Sequence, residues 1–271
     1  MAQFNLERSE LSEKASWASE GQQLAHQKGV TPGPRLVGGT RFAKHNGLDA
    51  VQIHLLADAS LTSLEETRKV IVGWQRQGQT LADIYLNGVA QSAQVLGERW
   101  LSDEMDFVDC TIAFSRLHRT LHEFSAEFLL EACTEPNGFS VLLMSEPGSQ
   151  HGFGIFMLSE FFRRAGWNVT LVNPLDMNDF KRNFQADWFD VIGLSLSTER
   201  HLPEIQAALP DLLKDCVNTA LQVFVGGPVA SFAPEKITWT DTHLLKGNAL
   251  QAVESVTQSL FNMERQINVT P

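Results

Sequence analysis

The sequence predicts an α/β protein, with an N-terminal helical bundle followed by a doubly wound parallel sheet of five strands. Three observations carry that prediction. Apolar residues recur at helical spacing from about residue 47 to 134, with no strand-like run among them. Thr134-Glu135-Pro136-Asn137-Gly138 then breaks the pattern. Beyond it, short apolar runs alternate with amphipathic stretches, the arrangement that builds a parallel sheet with helices on both faces.

Residues 1–46 are expected to be a tail, punctuated by Gly29-Val30-Thr31-Pro32-Gly33-Pro34 and Gly38-Gly39. Leu6 to Leu24 admits one helix but offers few large apolar anchors, so partial disorder and partner binding are both open for it. The bundle over 47–134 begins with Leu48, Val51, Leu55 and Leu56. A candidate N-cap lies in Leu61-Thr62-Ser63-Leu64-Glu65 and is followed by Val70, Ile71 and Trp74. A third segment carries Leu81, Ile84, Tyr85, Val89 and Leu96 and ends near Trp100. A fourth carries Phe107, Ile112, Phe114, Leu117, Leu121, Phe124, Phe128 and Leu129.

In the second domain, 139–264, Phe139 to Met144 is the first strand, and Phe153 to Ala165 a helix closed by Gly166. Val169 to Val172, Val191 to Ser195 and Leu221 to Val225 are the next strands, with a weaker fifth near Thr242 to Leu245. Helices fall at Met177 to Ala186, at Leu202 to Leu213 with Pro203 in its first turn, and at Ala249 to Met263. Sheets of this kind bind ligands beyond the carboxyl ends of the strands, where strand order reverses.

Composition narrows the function classes. At 271 residues, 43% hydrophobic and 20% charged, the chain has globular proportions. A net charge of −11 argues against direct nucleic-acid binding and leaves a basic protein partner open. Cys110, Cys133 and Cys216 lack CxxC spacing and are expected to be reduced, mostly buried thiols. With no membrane-length apolar run and no signal-like N-terminus, a soluble cytoplasmic protein is expected.

Three small-residue signals follow three of the strands. The first is Gly148-Ser149-Gln150-His151-Gly152-Phe153-Gly154, a glycine-rich loop with one imidazole at its centre. The second is Ser195-Leu196-Ser197, and the third is Gly226-Gly227. Gly247, after the weak fifth strand, is a candidate fourth. Small side chains at adjacent strand ends open a slot between sheet and helices for a planar group. No GxGxxG or GxxxxGK[ST] loop follows the first strand, which speaks against a flavin or nucleotide phosphate cradle.

These elements resemble the cobalamin-binding domain family, whose pattern is Asp-x-His-x-x-Gly, about forty residues, Ser-x-Leu, somewhat under thirty residues, then Gly-Gly. His151 and Gly154 fit the first element; residues 155–194 separate it from Ser195, and residues 198–225 separate Ser197 from Gly226. The resemblance implies a flavodoxin-like (Rossmann-like) domain. It also implies His151 as lower axial ligand of cobalt, and the corrin's nucleotide tail in a slot lined by Ser195, Ser197, Gly226 and Gly227. Upstream, Leu81-Ala82-Asp83-Ile84-Tyr85-Leu86 and Leu96-Gly97-Glu98-Arg99-Trp100-Leu101 resemble the bundle that caps the corrin in related proteins, with Trp100 as aromatic lid.

Departures sharpen the resemblance. The family's first-element Asp, which accepts the hydrogen bond of the ligand imidazole, is Ser149 here. Light-sensing regulators with a similar bundle carry a Glu-His pair where this chain has Cys110 and Thr111, and their DNA-binding module has no counterpart in the first 46 residues. Bundle plus cobalamin-like domain, without DNA-binding or catalytic module, is similar to the AerR/PpaA-type antirepressors of photosynthetic bacteria. That resemblance implies a non-enzymatic transcription regulator. It would bind hydroxo- or adenosylcobalamin, with heme as the alternative tetrapyrrole, and act on a DNA-binding repressor of the PpsR/CrtJ type in response to light, redox or cofactor state. The competing reading is a corrinoid carrier of a methyltransferase system.

Each residue also has a plainer reading: a structural loop histidine for His151, a strand end for Ser195 and Ser197, a tight turn for Gly226-Gly227, a core side chain for Trp100. His118 and His122, one helical turn apart, suggest a second metal site or an upper ligand on one side, and a solvated or capped face on the other. His201 is a candidate to face the slot, and Cys110 is the one cysteine singled out for redox function.

Overall fold

A computed structural model describes residues 47–267 apart from Cys133 and Asp241, and the side chains of 263–267 are not described; the expected tail over 1–46 and the expectation for Cys133 fall outside the described residues. Within it the chain divides after Phe124 into two compact units, 47–124 and 125–267. The division falls inside a helix, whereas the sequence breaks at Thr134–Gly138.

The first unit is helical. Helix α1 (Ala50–Thr62) opens with a reciprocal cap: Gln52 N–H donates to the Asp49 carboxylate at 2.8 Å and Asp49 N–H donates to Gln52 Oε1 at 3.0 Å. Only Ser63 separates it from α2 (Leu64–Arg76), and the Ser63 hydroxyl accepts from Glu66 N–H at 3.1 Å, as the sequence anticipated. Arg116 donates to the carbonyls of Ser60 and Leu61, both at 2.8 Å, and so places a cation on the exposed carbonyls of α1's last turn.

The third segment holds a feature that periodicity did not show. Helix α3 (Leu81–Asp83) runs into a π-helical stretch, Ile84–Val89, before α4 (Ala90–Leu101). There Tyr85 is fully buried, its hydroxyl donating to the Leu121 carbonyl at 3.1 Å. Gly88 meets Trp74 so closely that a Cβ would lie 2.7 Å from the indole ring. Helix α5 (Phe107–Leu130) supplies Ala113, Leu117, Leu121 and Phe124 as buried side chains at helical spacing.

In the second unit, strands β1 (Ser140–Ser145), β2 (Asn168–Val172), β3 (Val191–Ser195), β4 (Gln222–Gly226) and β5 (Thr242–Leu244) form one parallel sheet in the order β2-β1-β3-β4-β5. Helices α6 (Phe153–Arg164), α7 (Met177–Phe184), α8 (Leu202–Lys214), the short α9 (Pro228–Phe232) and α10 (Ala249–Ile267) connect and flank the strands. The central strands β1, β3 and β4 are almost wholly buried, while β2 and β5 are partly exposed edges, which is why the inner strands read as unbroken apolar runs. One core joins Leu142, Ile192, Leu194, Val223 and Val225 of the sheet to Phe180 and Phe184 of α7 and Ile205 and Leu209 of α8. The end of α5 belongs here too: Phe128 packs edge-on against Phe161 at 5.1 Å, and the Arg164 guanidinium lies 4.6 Å from the Phe128 ring centroid.

Strand order reverses between β1 and β3: the chain leaves β1 toward β2 on one side and returns to β3 on the other. This is the switch point at which such sheets open a crevice at their carboxyl ends.

Candidate functional site

The register aligns a row of small residues at that end. Ser145 of β1 pairs with Ser195 of β3, and Ser195 with Gly226 of β4. The ladder continues one step past the strands, through Glu146 N–H to the Ser195 carbonyl at 3.1 Å and Leu196 N–H to the Gly226 carbonyl at 3.0 Å. Two of the three sequence signals, the second and the third, therefore meet directly. The first begins at Gly148, three residues beyond Ser145 of this row.

The His151 loop is shaped by short-range hydrogen bonds. Gly148 takes φ +68°, a left-handed conformation suited to glycine, and its N–H donates to the Pro174 carbonyl at 2.8 Å. Ser149 N–H donates to the Glu146 carbonyl at 3.2 Å, and Gly152 N–H to the Gln150 carbonyl at 3.2 Å. The Ser149 hydroxyl accepts from the backbone N–H of His151 at 3.1 Å, so this side chain shapes the loop backbone. Gly152 caps α6, and at Gly154 a Cβ would meet no other atom within 4 Å, so the first turn of α6 borders open space.

His151 is half-buried, and that burial pushes its pKa below the ordinary histidine value. Burial thus favours the neutral imidazole, the form that ligates metals. Among the described residues no group of three or more His, Cys, Asp or Glu side chains is placed to hold a bare metal ion. A single neutral imidazole beside a row of small residues suits a metal that arrives in a macrocycle with ligands of its own. By donor type and by the small residues beside it, this set fits a cobalt corrin.

A buried carboxylate that sequence reasoning missed lies at the same place. Glu146 is 3% exposed; its two oxygens each accept from Thr198 N–H at 3.1 Å, and Oε1 also accepts from the Thr198 hydroxyl at 3.0 Å. Burial raises its pKa above the usual carboxylate range, opposed by the Thr198 bonds, the charge of His201 and the Ser197 backbone amide. It follows the apolar run of β1 and precedes Pro147, and it is held against the end of β3 by its own amide and by Thr198. Asn173 escaped notice in the same way, and its Oδ1 accepts from the Ser145 hydroxyl at 3.0 Å.

The glycines divide by role. Gly227 has φ +86° and ψ −178°, a region essentially reserved for glycine, and a Cβ there would stand 2.8 Å from the Leu196 carbonyl oxygen and 3.1 Å from the Ser195 hydroxyl. Gly226 is less constrained, with Leu245 Cβ as the nearest atom at 3.7 Å. Leu196 buries its side chain in the sheet core and contributes only backbone here, while Ser197 is 6% exposed. Gly247, φ +91°, follows the edge strand β5, three strands from β1 or about 14 Å across the sheet at ordinary strand spacing. It precedes a reciprocal Asn248–Gln251 cap on α10, with both bonds at 3.0 Å. The arrangement thus gathers His151, Gly148, Ser149, Gln150, Gly152, Ser195, Ser197, Gly226 and Gly227 around adjacent strand ends, and leaves Gly247 at the sheet edge.

Trp100, in the helical unit, is 5% exposed and lies 6.0 Å from the Phe107 ring. His118 and His122 have ring centroids 4.9 Å apart, and burial together with the His122 charge lowers the His118 pKa. His201 precedes α8, with Nδ1 3.2 Å from Glu204 Oε2. Cys110 is buried, which pushes its thiol up to about 11, the opposite of an activated redox cysteine. Among the described residues no helix is long and apolar enough to cross a membrane.

Residues 139–253 match the family model of the B12 binding domain. That stretch contains His151 and every other sheet-domain candidate through Gly247. The chain is 29% identical over 157 residues to an uncharacterized 20.5 kDa protein of the bchF-crtJ intergenic region of Rhodobacter capsulatus, covering 58% of this chain and 81% of that protein. Among solved structures, the monomethylamine corrinoid protein of Methanosarcina barkeri superposes with a TM-score of 0.62 at 13% identity, covering 75% of this chain and 96% of that one. A likeness at that identity shows a shared fold: a helical N-terminal region followed by the parallel sheet and its helices.

Proposed function

We propose that this chain is a cobalamin-binding regulatory protein, an antirepressor that acts on a DNA-binding repressor of the PpsR/CrtJ type in response to light, redox or cofactor state. The carrying observation is the conjunction of His151, neutral in a glycine-shaped loop, with the register row Ser195–Gly226, inside a stretch that matches a B12 binding domain. His151 serves as the lower ligand of cobalt, and Ser195, Ser197 and Gly226–Gly227 line the path of the nucleotide tail. A bound corrin supplies a coloured cobalt centre with exchangeable axial ligands. The protein's own residues hold it, orient it and keep the ligating nitrogen unprotonated.

The regulatory half is supported by the relative from the bchF-crtJ intergenic region and by Ser149, which gives the loop no carboxylate for proton-coupled ligation. A second reading, corrinoid carrier for a methyltransferase, is supported by the fold shared with the monomethylamine corrinoid protein.

Titration with hydroxocobalamin, followed by the corrin absorption bands, tests the site. The wild type is expected to shift those bands and His151→Ala to lose the shift; equal binding by both removes the axial-ligand assignment. A parallel heme titration ranks the two tetrapyrroles. Association with the repressor, with and without ligand and in light and dark, tests the regulatory half. Methyl transfer from the loaded protein to a thiol or folate acceptor would favour the carrier.

A further inference from the structure

We propose that Glu146 is a positioning residue of this site: its carboxylate fastens the β1 loop that carries His151 to the β3 loop that carries Ser197, and so fixes the slot through which a corrinoid's nucleotide tail passes. The inference rests on the cobalamin reading above.

The clasp sits at the switch point between β1 and β3. Glu146 holds its own strand end to β3 through its backbone, N–H to the Ser195 carbonyl at 3.1 Å. Its side chain then reaches one loop further and accepts three hydrogen bonds from Thr198, two from the amide and one from the hydroxyl. Hydrogen bonds to a carboxyl group in a buried setting are stronger than the same bonds in water and tolerate little displacement.

Backbone amides at such a strand end commonly form the concavity that receives a ligand's phosphate. Here one such amide, that of Thr198, is taken up by the chain's own carboxylate. The neighbouring row from Ser195 to Gly226 carries no such carboxylate, and it is the path assigned to the tail. Ser197, one residue before Thr198, takes its place in the wall from the same clasp. Removing the carboxylate frees the β3 loop to drift, which costs contacts along the tail and none at the cobalt ligand.

Cobalamin and cobinamide, a corrinoid lacking the nucleotide tail, separate these contributions. Both are titrated into the full chain as wild type, Glu146→Ala, Glu146→Gln and Thr198→Val, with folding checked by circular dichroism. Glu146→Ala is expected to weaken cobalamin by about tenfold to a hundredfold, the value of lost charged hydrogen bonds, and cobinamide by less than about twofold. Glu146→Gln keeps an acceptor oxygen for Thr198 and recovers most of the affinity. Thr198→Val shows the same split at smaller size, and carries the comparison should Glu146→Ala not fold. Equal weakening of both corrinoids, or full cobalamin affinity in folded Glu146→Ala or Thr198→Val, overturns the positioning role and leaves the cobalamin reading standing. A wild type that binds neither corrinoid overturns both.

Discussion

Gly227 stands so close to Leu196 that a Cβ on the glycine would lie 2.8 Å from the leucine's carbonyl oxygen and 2.9 Å from its amide nitrogen. Neither neighbour can yield: Leu196 N–H donates to Gly226 and its carbonyl accepts from Val229 N–H, both at 3.0 Å. Gly227→Ala therefore meets a steric clash and a glycine-only backbone conformation together. It is expected to cost about 2–4 kcal/mol in urea unfolding, from overpacking plus backbone strain. A change below about 0.5 kcal/mol, the range of a neutral surface substitution, would show that the loop relaxes freely.

Gly226→Ala separates folding from binding. Its Cβ would meet Leu245 at an ordinary 3.7 Å, so the fold is retained within about 1 kcal/mol. The added methyl stands on the proposed tail path, and cobalamin affinity should fall while the melting temperature holds. Unchanged affinity would move the path away from β4.

Ser149→Asp places a charged acceptor beside His151, the proposed cobalt ligand. The present hydroxyl accepts from the His151 backbone N–H at 3.1 Å, a role an aspartate oxygen can also fill. A carboxylate near a metal-ligating imidazole raises its basicity, worth about tenfold or more in metal affinity. Tighter hydroxocobalamin binding in the variant is the expected outcome, and weaker binding would count against a site short of a carboxylate.

Glu146 imposes a pH signature. Its pKa is raised by burial in the folded state, against about 4.3 for a free glutamate. The folded protein thus holds a proton that the unfolded chain releases. This contribution to stability is present below the unfolded value and is lost as pH rises through the folded one. Denaturation midpoints of Glu146→Gln relative to wild type should therefore climb across that interval. A constant difference would mean that the carboxylate ionises as freely folded as unfolded.

Cys110, with its thiol raised to about 11, stays protonated at neutral pH. Its peptide should remain unalkylated by iodoacetamide at pH 8 in the folded protein and label on denaturation. Rapid labelling of the folded protein would reopen a redox role.

Much of the sheet domain was legible in sequence because buried parallel strands impose an unbroken apolar run. The third strand falls at Val191–Ser195 as expected, and the others differ from expectation by one residue at one or both ends. The bundle's helices were legible by period, yet the π-helical stretch at Ile84–Val89 was not. It depends on how Gly88 meets Trp74 and how Tyr85 reaches Leu121, contacts between segments that no local pattern records. The short helix Pro228–Phe232 was also missed, since five residues carry no period.

By itself the sequence determined the alternation of strand and helix, the glycine-shaped loop around His151, and the spacing that sets this loop, Ser195-Leu196-Ser197 and Gly226-Gly227 at strand ends. These follow from local constraints: apolar periodicity, turn residues and the absence of a side chain. Tertiary structure alone decided the strand order, and with it which signals become neighbours. It put Ser195 beside Gly226, left Gly247 at the edge, and made Gly227 a site of close backbone approach. It also made Glu146 a buried carboxylate clasping Thr198, because burial and hydrogen bonding across 52 positions of sequence depend on pairing β1 with β3.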